Sequence, residues 1–325
     1  MQLKGIHHVS AITANAKENY HFYTEILGMR LVKKTVNQDD TSMYHLFYAD
    51  EAGNPGTDLT FFEIKNAGNT YPGISSISGT SLRVPNDKAL SYWVDRFNQY
   101  HVEHEGISNQ GERNVIHFYD HEKQRLTLIS DEHNNGVPGG RPWSQSSASV
   151  EHGIIGLGPS KLTIKDPTPT VKVLTEILTF TQVGSYPSTV KGQEDILIFS
   201  TGEGGTGAEI HVEVRDDLAR ERPGRGSVHH VAFRVTNEAE LFKWKARLTE
   251  ARIPNSGLVD RYYFQSLYFR EPNGILFELA TDGPGFATDE DINHLGESLA
   301  LPPFLEDQRE EIEAKLVPLD TIGNK

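Results

Sequence analysis

Residues 4–13 read KGIHHVSAIT and residues 226–235 read GSVHHVAFRV. Both runs have strand composition and near-alternating polarity. Each carries a histidine pair, His7–His8 and His229–His230, at the same place in the run. A helix candidate follows each. NAKENYHFYTEILGMRLV (15–32) has Tyr20, Phe22 or Tyr23, Ile26 and Leu27 at helical spacing. NEAELFKWKARLTEARI (237–253) has Leu241, Trp244 or Lys245, and Leu248, with Asn237 as N-cap and Glu240 at capping-box spacing. Short strands come next: TSMYHLFYAD and GTDLTFFEIK in the first unit, YYFQSLYFREPNGILFELAT in the last. Each unit closes on an apolar strand with one carboxylate, Glu63 or Glu278.

Two more units fit between these. SISGTSLRVPN, DKALSYWVDRFNQY and NVIHFYDHEKQRLTLIS make the second. IIGLGPSKLTIKD, TPTVKVLTEILTFTQVG, EDILIFSTG and GAEIHVEVR make the third. The expected fold is α+β: four βαβββ modules in two domains, each module pair forming a curled half-open barrel around a cavity. Modules 1 and 2 occupy 1–131, a polar Gly/Pro-rich linker 132–148, and modules 3 and 4 occupy 149–280. Residues 281–325 form an extension. Its stretch 301–319 predicts an amphipathic helix started by Pro302 and Pro303, with Leu305, Ile312 and Leu316 as the apolar stripe. One module alone leaves an apolar sheet face uncovered, and pairing two modules covers it while enclosing space for a small ligand.

Composition narrows the chemistry. The 325 residues include 45 acidic and 31 Lys/Arg side chains, a net charge of −14. No basic field is available for nucleic acid or an anionic membrane surface. The absence of cysteine excludes disulfides and thiolate sites. No stretch approaches 18 apolar residues and the chain opens without a signal-like segment, so a cytoplasmic protein is expected. Any metal must be held by His, Asp or Glu.

If modules 1 and 4 pair about a pseudo-twofold axis, His8 and His230 face each other, and Glu278 lies in the same sheet. Two imidazoles and one carboxylate make a facial triad with open positions for substrate and O₂. Neighbours on a strand alternate faces, so His7 and His229 are expected to point outward unless a strand irregularity turns them inward. The middle modules lack this set. Ser81 or its neighbour, and Pro159, stand at the histidine places, and Thr127 and Glu213 at the glutamate place. Glu63 matches Glu278 by position and is either a fourth ligand or an ordinary strand residue paired with a basic side chain. Tyr268 and Glu278 flank the turn Glu271–Gly274 and approach the same cavity. Arg261 can reach a phenolate oxygen, or else is a surface residue. The glycine-rich run Thr201–Gly207 lies between two strands and reads as a hairpin, not a phosphate cradle. No Gly-x-Ser-x-Gly elbow is present.

GIHHVSAIT, VHHVAFRV and EPNGILFELAT resemble the vicinal oxygen chelate superfamily, which includes glyoxalase I, bleomycin-resistance proteins and extradiol dioxygenases. The four-module length, LGPSKLTI and DRYYFQSLYFREPNG are similar to its ring-cleaving branch, and within that to hydroquinone dioxygenases. The resemblance implies Fe(II), with Mn, Ni or Zn as alternatives, on His8, His230 and Glu278. It implies that His7, His229, Arg261 and Tyr268 surround the substrate, with Ser10 near the first ligand, where relatives can carry Thr. Catechol enzymes of the superfamily take all three ligands from the C-terminal half; Pro159 breaks that pattern here. The resemblance thus implies a ring-cleaving dioxygenase whose partners are a small aromatic substrate and O₂, with a homo-oligomer as a further expectation. The alternatives are a glyoxalase-type metal-dependent lyase or isomerase with Glu63 as a further ligand, and a non-catalytic aromatic-binding protein.

Overall fold

A computed structural model describes residues 1–321. The first module comprises β1 (Ile6–Thr13), α1 (Ala16–Tyr20), β2 (Arg30–Asn37), β3 (Asp40–Ala49) and β4 (Asp58–Glu63). The second has β5 (Ser76–Val84), α2 (Asp87–Gln99), β6 (His104–Gln110), β7 (Arg113–Tyr119) and β8 (Arg125–Ser130). The third has β9 (Gly156–Ile164), α3 (Pro167–Lys172), β10 (Thr181–Tyr186), β11 (Ile196–Ser200) and β12 (Glu209–Val214). The fourth has β13 (Val228–Val235), α4 (Glu238–Glu250), β14 (Asn255–Asp260), β15 (Phe264–Arg270) and β16 (Leu276–Pro284).

Capping chemistry sets the helix starts. Asn86 and Asn237 accept from the backbone N–H three residues on, and Glu240 reaches back to the Thr236 N–H. Leu90, Trp93 and Phe97 on α2, and Leu241, Trp244 and Leu248 on α4, are fully buried at helical spacing. The helices of modules 1 and 3 differ. Each is short and unwinds into a π turn, over His21–Ile26 and Val173–Ile177. Short and long helices therefore alternate along the chain, which marks modules 1–2 and 3–4 as repeated pairs.

The sheets follow another rule. One eight-stranded sheet runs β14-β15-β16-β13-β1-β4-β3-β2 and the other β10-β11-β12-β9-β5-β8-β7-β6. Module 1 thus shares a curled sheet with module 4, and module 2 with module 3. The spans 1–131 and 149–280 each contribute to both sheets, so the sequence division describes repetition and not the sheets. β5 and β9 pack against β13 and β1, and one apolar cluster draws on all four modules. The linker is tied to the first module: Arg141 N–H donates to Asp50 and Ser146 Oγ–H to the Gly28 carbonyl.

The extension crosses β2 and β3. Its helical stretch is two pieces, α5 (Pro303–Glu306) and α6 (Arg309–Lys315), broken at Asp307–Gln308, and not one helix. The anticipated stripe is nonetheless buried at Leu305, Ile312 and Leu316. The break separates Leu305 from the other two, and all three still reach the core. Among the described residues no helix is long and apolar enough to cross a membrane.

Candidate metal centre

β1 and β13 are the antiparallel pair at the middle of the first sheet, with Ser10 opposite His230 and His8 opposite Ala232. β16 runs parallel to β13 and puts Glu278 beside Ala232. These registers bring three donor atoms together. His8 Nε2 lies 3.1 Å from Glu278 Oε2, His230 Nε2 lies 2.9 Å from the same oxygen, and the two nitrogens are 3.1 Å apart. All three residues are buried.

The register of β1 against β13 slips between Ile6 and His8 and again between Ser10 and Ala11. His7 and His229 are the extra residues at these two bulges. A bulge re-aims a side chain that regular alternation would turn away. His7 Nδ1 accordingly lies 2.9 Å from His8 Nδ1, and His229 Nδ1 lies 2.8 Å from His230 Nδ1. The strand irregularity is present, and the outward placement of both residues is replaced by contact with the inner histidines.

The hydrogen-bond network assigns the protons. Burial pushes His7 down to about 3, so its ring is neutral. His7 Nε2 lies 3.0 Å from the Thr281 carbonyl, which only accepts. The His7 proton is therefore on Nε2, and Nδ1 accepts from His8 Nδ1–H. This leaves His8 Nε2 a bare lone pair facing the cavity. His229 Nδ1 meets His230 Nδ1 at the matching place on β13. Glu278 presents Oε2 to both ring nitrogens. Ser266 Oγ–H donates to its other oxygen, Oε1, at 2.6 Å, while Oε2 has no hydrogen-bond partner.

The bare His8 nitrogen and the Glu278 oxygen at this spacing repel one another unless a cation sits between them. The spacing also favours one geometry. For donors about 2.1 Å from a metal, octahedral cis neighbours stand about 3.0 Å apart and tetrahedral neighbours about 3.4 Å. The cluster can hold a divalent metal, and its spacing fits three cis ligands on one face.

The opposite face opens into a cavity of about 340 Å³. Ile12, Val36, Phe47, Phe62, Phe264 and Leu276 supply apolar wall, and Ser10, His45, His229, Arg261 and Tyr268 polar wall. Tyr268 is the cross-strand neighbour of Glu278. Arg261 Nε–H donates to the Tyr268 hydroxyl at 3.1 Å, and its other arm pairs with Asp39 at 3.0 Å. Burial and the Glu278 charge push Tyr268 well above the usual phenol range, so it stays protonated. Ser10 Oγ lies 2.7 Å from Thr60 Oγ1.

Residues 5–134 and 156–279 match the Glyoxalase/Bleomycin resistance protein/Dioxygenase superfamily. The chain belongs to this superfamily. It is 54% identical to a Bacillus subtilis (strain 168) protein named "Putative ring-cleaving dioxygenase MhqA", over 98% of this chain and all of the relative. It is 28% identical to the "Chlorohydroquinone/hydroquinone 1,2-dioxygenase" of Sphingobium indicum, over 96% of this chain and 95% of the relative. A crystal structure of a "putative dioxygenase" from Bacillus subtilis superposes with a TM-score of 0.88 at 32% identity, covering 98% of both chains. Close homology to these superfamily dioxygenases, together with the His/His/Glu cluster, makes the chain an enzyme of the oxidoreductase type.

Two positional matches are corrected by the register. Glu63 pairs with Thr13, and its Oε1 accepts from Ala16 N–H at the start of α1. It is no part of the three-residue cluster. The residue that matches Glu278 is Thr60, which sits opposite Ser10 as Glu278 sits opposite Ala232. In module 3 the matching residue is His211 and not Glu213, since His211 pairs with Lys161. His211 there belongs to a closed network with Glu209, Arg113 and Tyr186. Ser266, Asp39 and His45 escaped the sequence reading. Ser266 was recoverable, since it lies two residues from Tyr268 and shares its face.

Proposed function

We propose that the protein is an Fe(II)-dependent dioxygenase that opens the ring of a hydroquinone with O₂, using His8, His230 and Glu278 as metal ligands. The observation that carries this is the three-donor face opening onto an aromatic-lined cavity. A facial set leaves neighbouring positions for a substrate oxygen and O₂. The names carried by the relatives support a ring-cleaving reaction and a hydroquinone.

Iron(II) would supply Lewis acidity toward a substrate hydroxyl and electrons toward O₂. The chain's own residues do the rest. Phe47, Phe62 and Phe264 grip a flat ring and exclude water. Tyr268, accepting from Arg261, keeps its own O–H free to donate to a developing oxyanion. The Arg261 charge holds the anionic side of the substrate. His229 stands exposed at the cavity rim, backing His230. His7 orients His8, and Ser10 stands beside it. With Glu63 outside the cluster, the lyase reading loses its fourth ligand.

The test is O₂ uptake after anaerobic loading with Fe(II), with hydroquinone and catechol in parallel and chromatography of the product. Uptake matched by an open-chain product is expected. Glu278→Gln should lose bound iron and lower uptake more than about a hundredfold. A fully iron-loaded protein that consumes no O₂ with either diol would overturn the proposal.

A further inference from the structure

One polar residue of the cavity wall has no part in the chemistry above. His45 lines the cavity from β3, on the arm of the curled sheet away from Tyr268 and β15. Its ring is fixed between Phe47 and Phe62, with centroids 4.0 and 4.2 Å away. His45 Nε2 lies 3.0 Å from Thr60 Oγ1, and Thr60 in turn lies 2.7 Å from Ser10 Oγ. This chain of three polar groups crosses the sheet from β1, beside His8, through β4 to β3.

The other ring nitrogen, Nδ1, has no protein partner among the described residues, and it is not sealed from the cavity. Thr35, directly across from His45 on β2, also has a buried hydroxyl without a partner. A buried wall with surplus hydrogen-bonding capacity is costly unless something uses it. Apolar residues would otherwise complete the Phe47–Phe62 wall.

We propose that His45 is a specificity-determining residue: its free Nδ1 binds the hydroxyl of a para-diol that lies farthest from the metal end. This rests on the ring-cleavage reading for the nature of the substrate. β3 lies two strands, about 10 Å along the sheet, from β1. A para-diol places its two oxygens at opposite ends of the ring and so engages both the metal end and β3. A catechol places both hydroxyls at the metal end, and phenol has none for His45. Burial keeps the His45 ring neutral, so one nitrogen donates and the other accepts. A hydroxyl suits either role.

The experiment is anaerobic calorimetric titration of Zn(II)-loaded protein with hydroquinone and with phenol. Zinc removes turnover from the measurement. The wild-type protein should bind hydroquinone about tenfold tighter than phenol, the worth of one buried hydrogen bond. His45→Leu should abolish that preference and leave phenol affinity and zinc content unchanged. His45→Gln should keep part of it. Equal binding of the two ligands by the wild-type protein overturns the proposal without recourse to any variant. Parallel weakening of both ligands in His45→Leu overturns it too. O₂ uptake by the iron-loaded protein decides separately whether the ring is opened, so the two failures are distinguishable.

Discussion

His7 shows how one side chain sets the chemistry of another. It touches no cavity ligand position itself. Its contact with the Thr281 carbonyl puts its proton on Nε2 and so makes Nδ1 the acceptor for His8. His7→Ala frees the His8 tautomer, and divalent-metal affinity should fall about 10- to 100-fold. Metal titration checks this, with circular dichroism to confirm the fold; undiminished affinity would show that the pairing does not orient His8. His8, His230 and Glu278 were legible because one histidine pair recurs at one place in two modules. Glu63 was misplaced for a related reason. Counting from strand ends cannot reveal that Glu278 pairs beside Ala232 while Glu63 pairs beside Thr13.

Turns and bulges carry the next level of organisation. The turn joining β7 to β8 is built on Asp120, whose Oδ1 accepts from the Glu122 and Gln124 N–H groups. Its Oδ2 accepts from the Tyr23 hydroxyl of module 1. Burial pushes Asp120 up to about 6, against an ordinary value of 3.8. A raised folded-state value means that protonation favours the fold. The contribution is full below pH 3.8 and is lost as pH rises through 6. Asp120→Asn keeps the acceptor toward the turn and removes the ionisation. It should gain roughly 2 kcal/mol on the wild type between pH 4 and pH 7. Urea unfolding across that range tests it, and parallel stability curves would refute it. The two bulges were not legible, because a bulge leaves alternation in the one-dimensional pattern intact and appears only when a partner strand falls out of step.

The assembled chain depends on its extension. Lys33 on β2 is fully buried and pairs with Asp289 and Glu290. Tyr263 donates to Asp289 at 2.8 Å, which couples the extension to the cavity wall. Lys34 donates to the Leu319 carbonyl and the Thr321 hydroxyl. The double change Asp289→Asn with Glu290→Gln leaves a buried ammonium without a counter-ion and should cost about 3 kcal/mol or more. Adding Lys33→Met should recover most of it. Chemical denaturation of the three proteins decides the matter: an unchanged midpoint in the double variant would mean that the extension is not held by this pairing.

Repetition, strand and helix periods, caps and the absence of cysteine were all readable from the chain. They gave the βαβββ modules, the buried faces of α2 and α4, and the residue types available to a metal. These are local properties, carried by neighbours within a few residues. The partnership of module 1 with module 4, the bulges that turn His7 and His229 inward, the exclusion of Glu63 and the placement of His45 were not readable. Each depends on which residue lies opposite which across a strand boundary, sometimes more than 200 positions away in the chain. Side-chain direction reverses with every one-residue slip of register. The pairing that forms in the folded sheet therefore decides which side chains meet in the cavity.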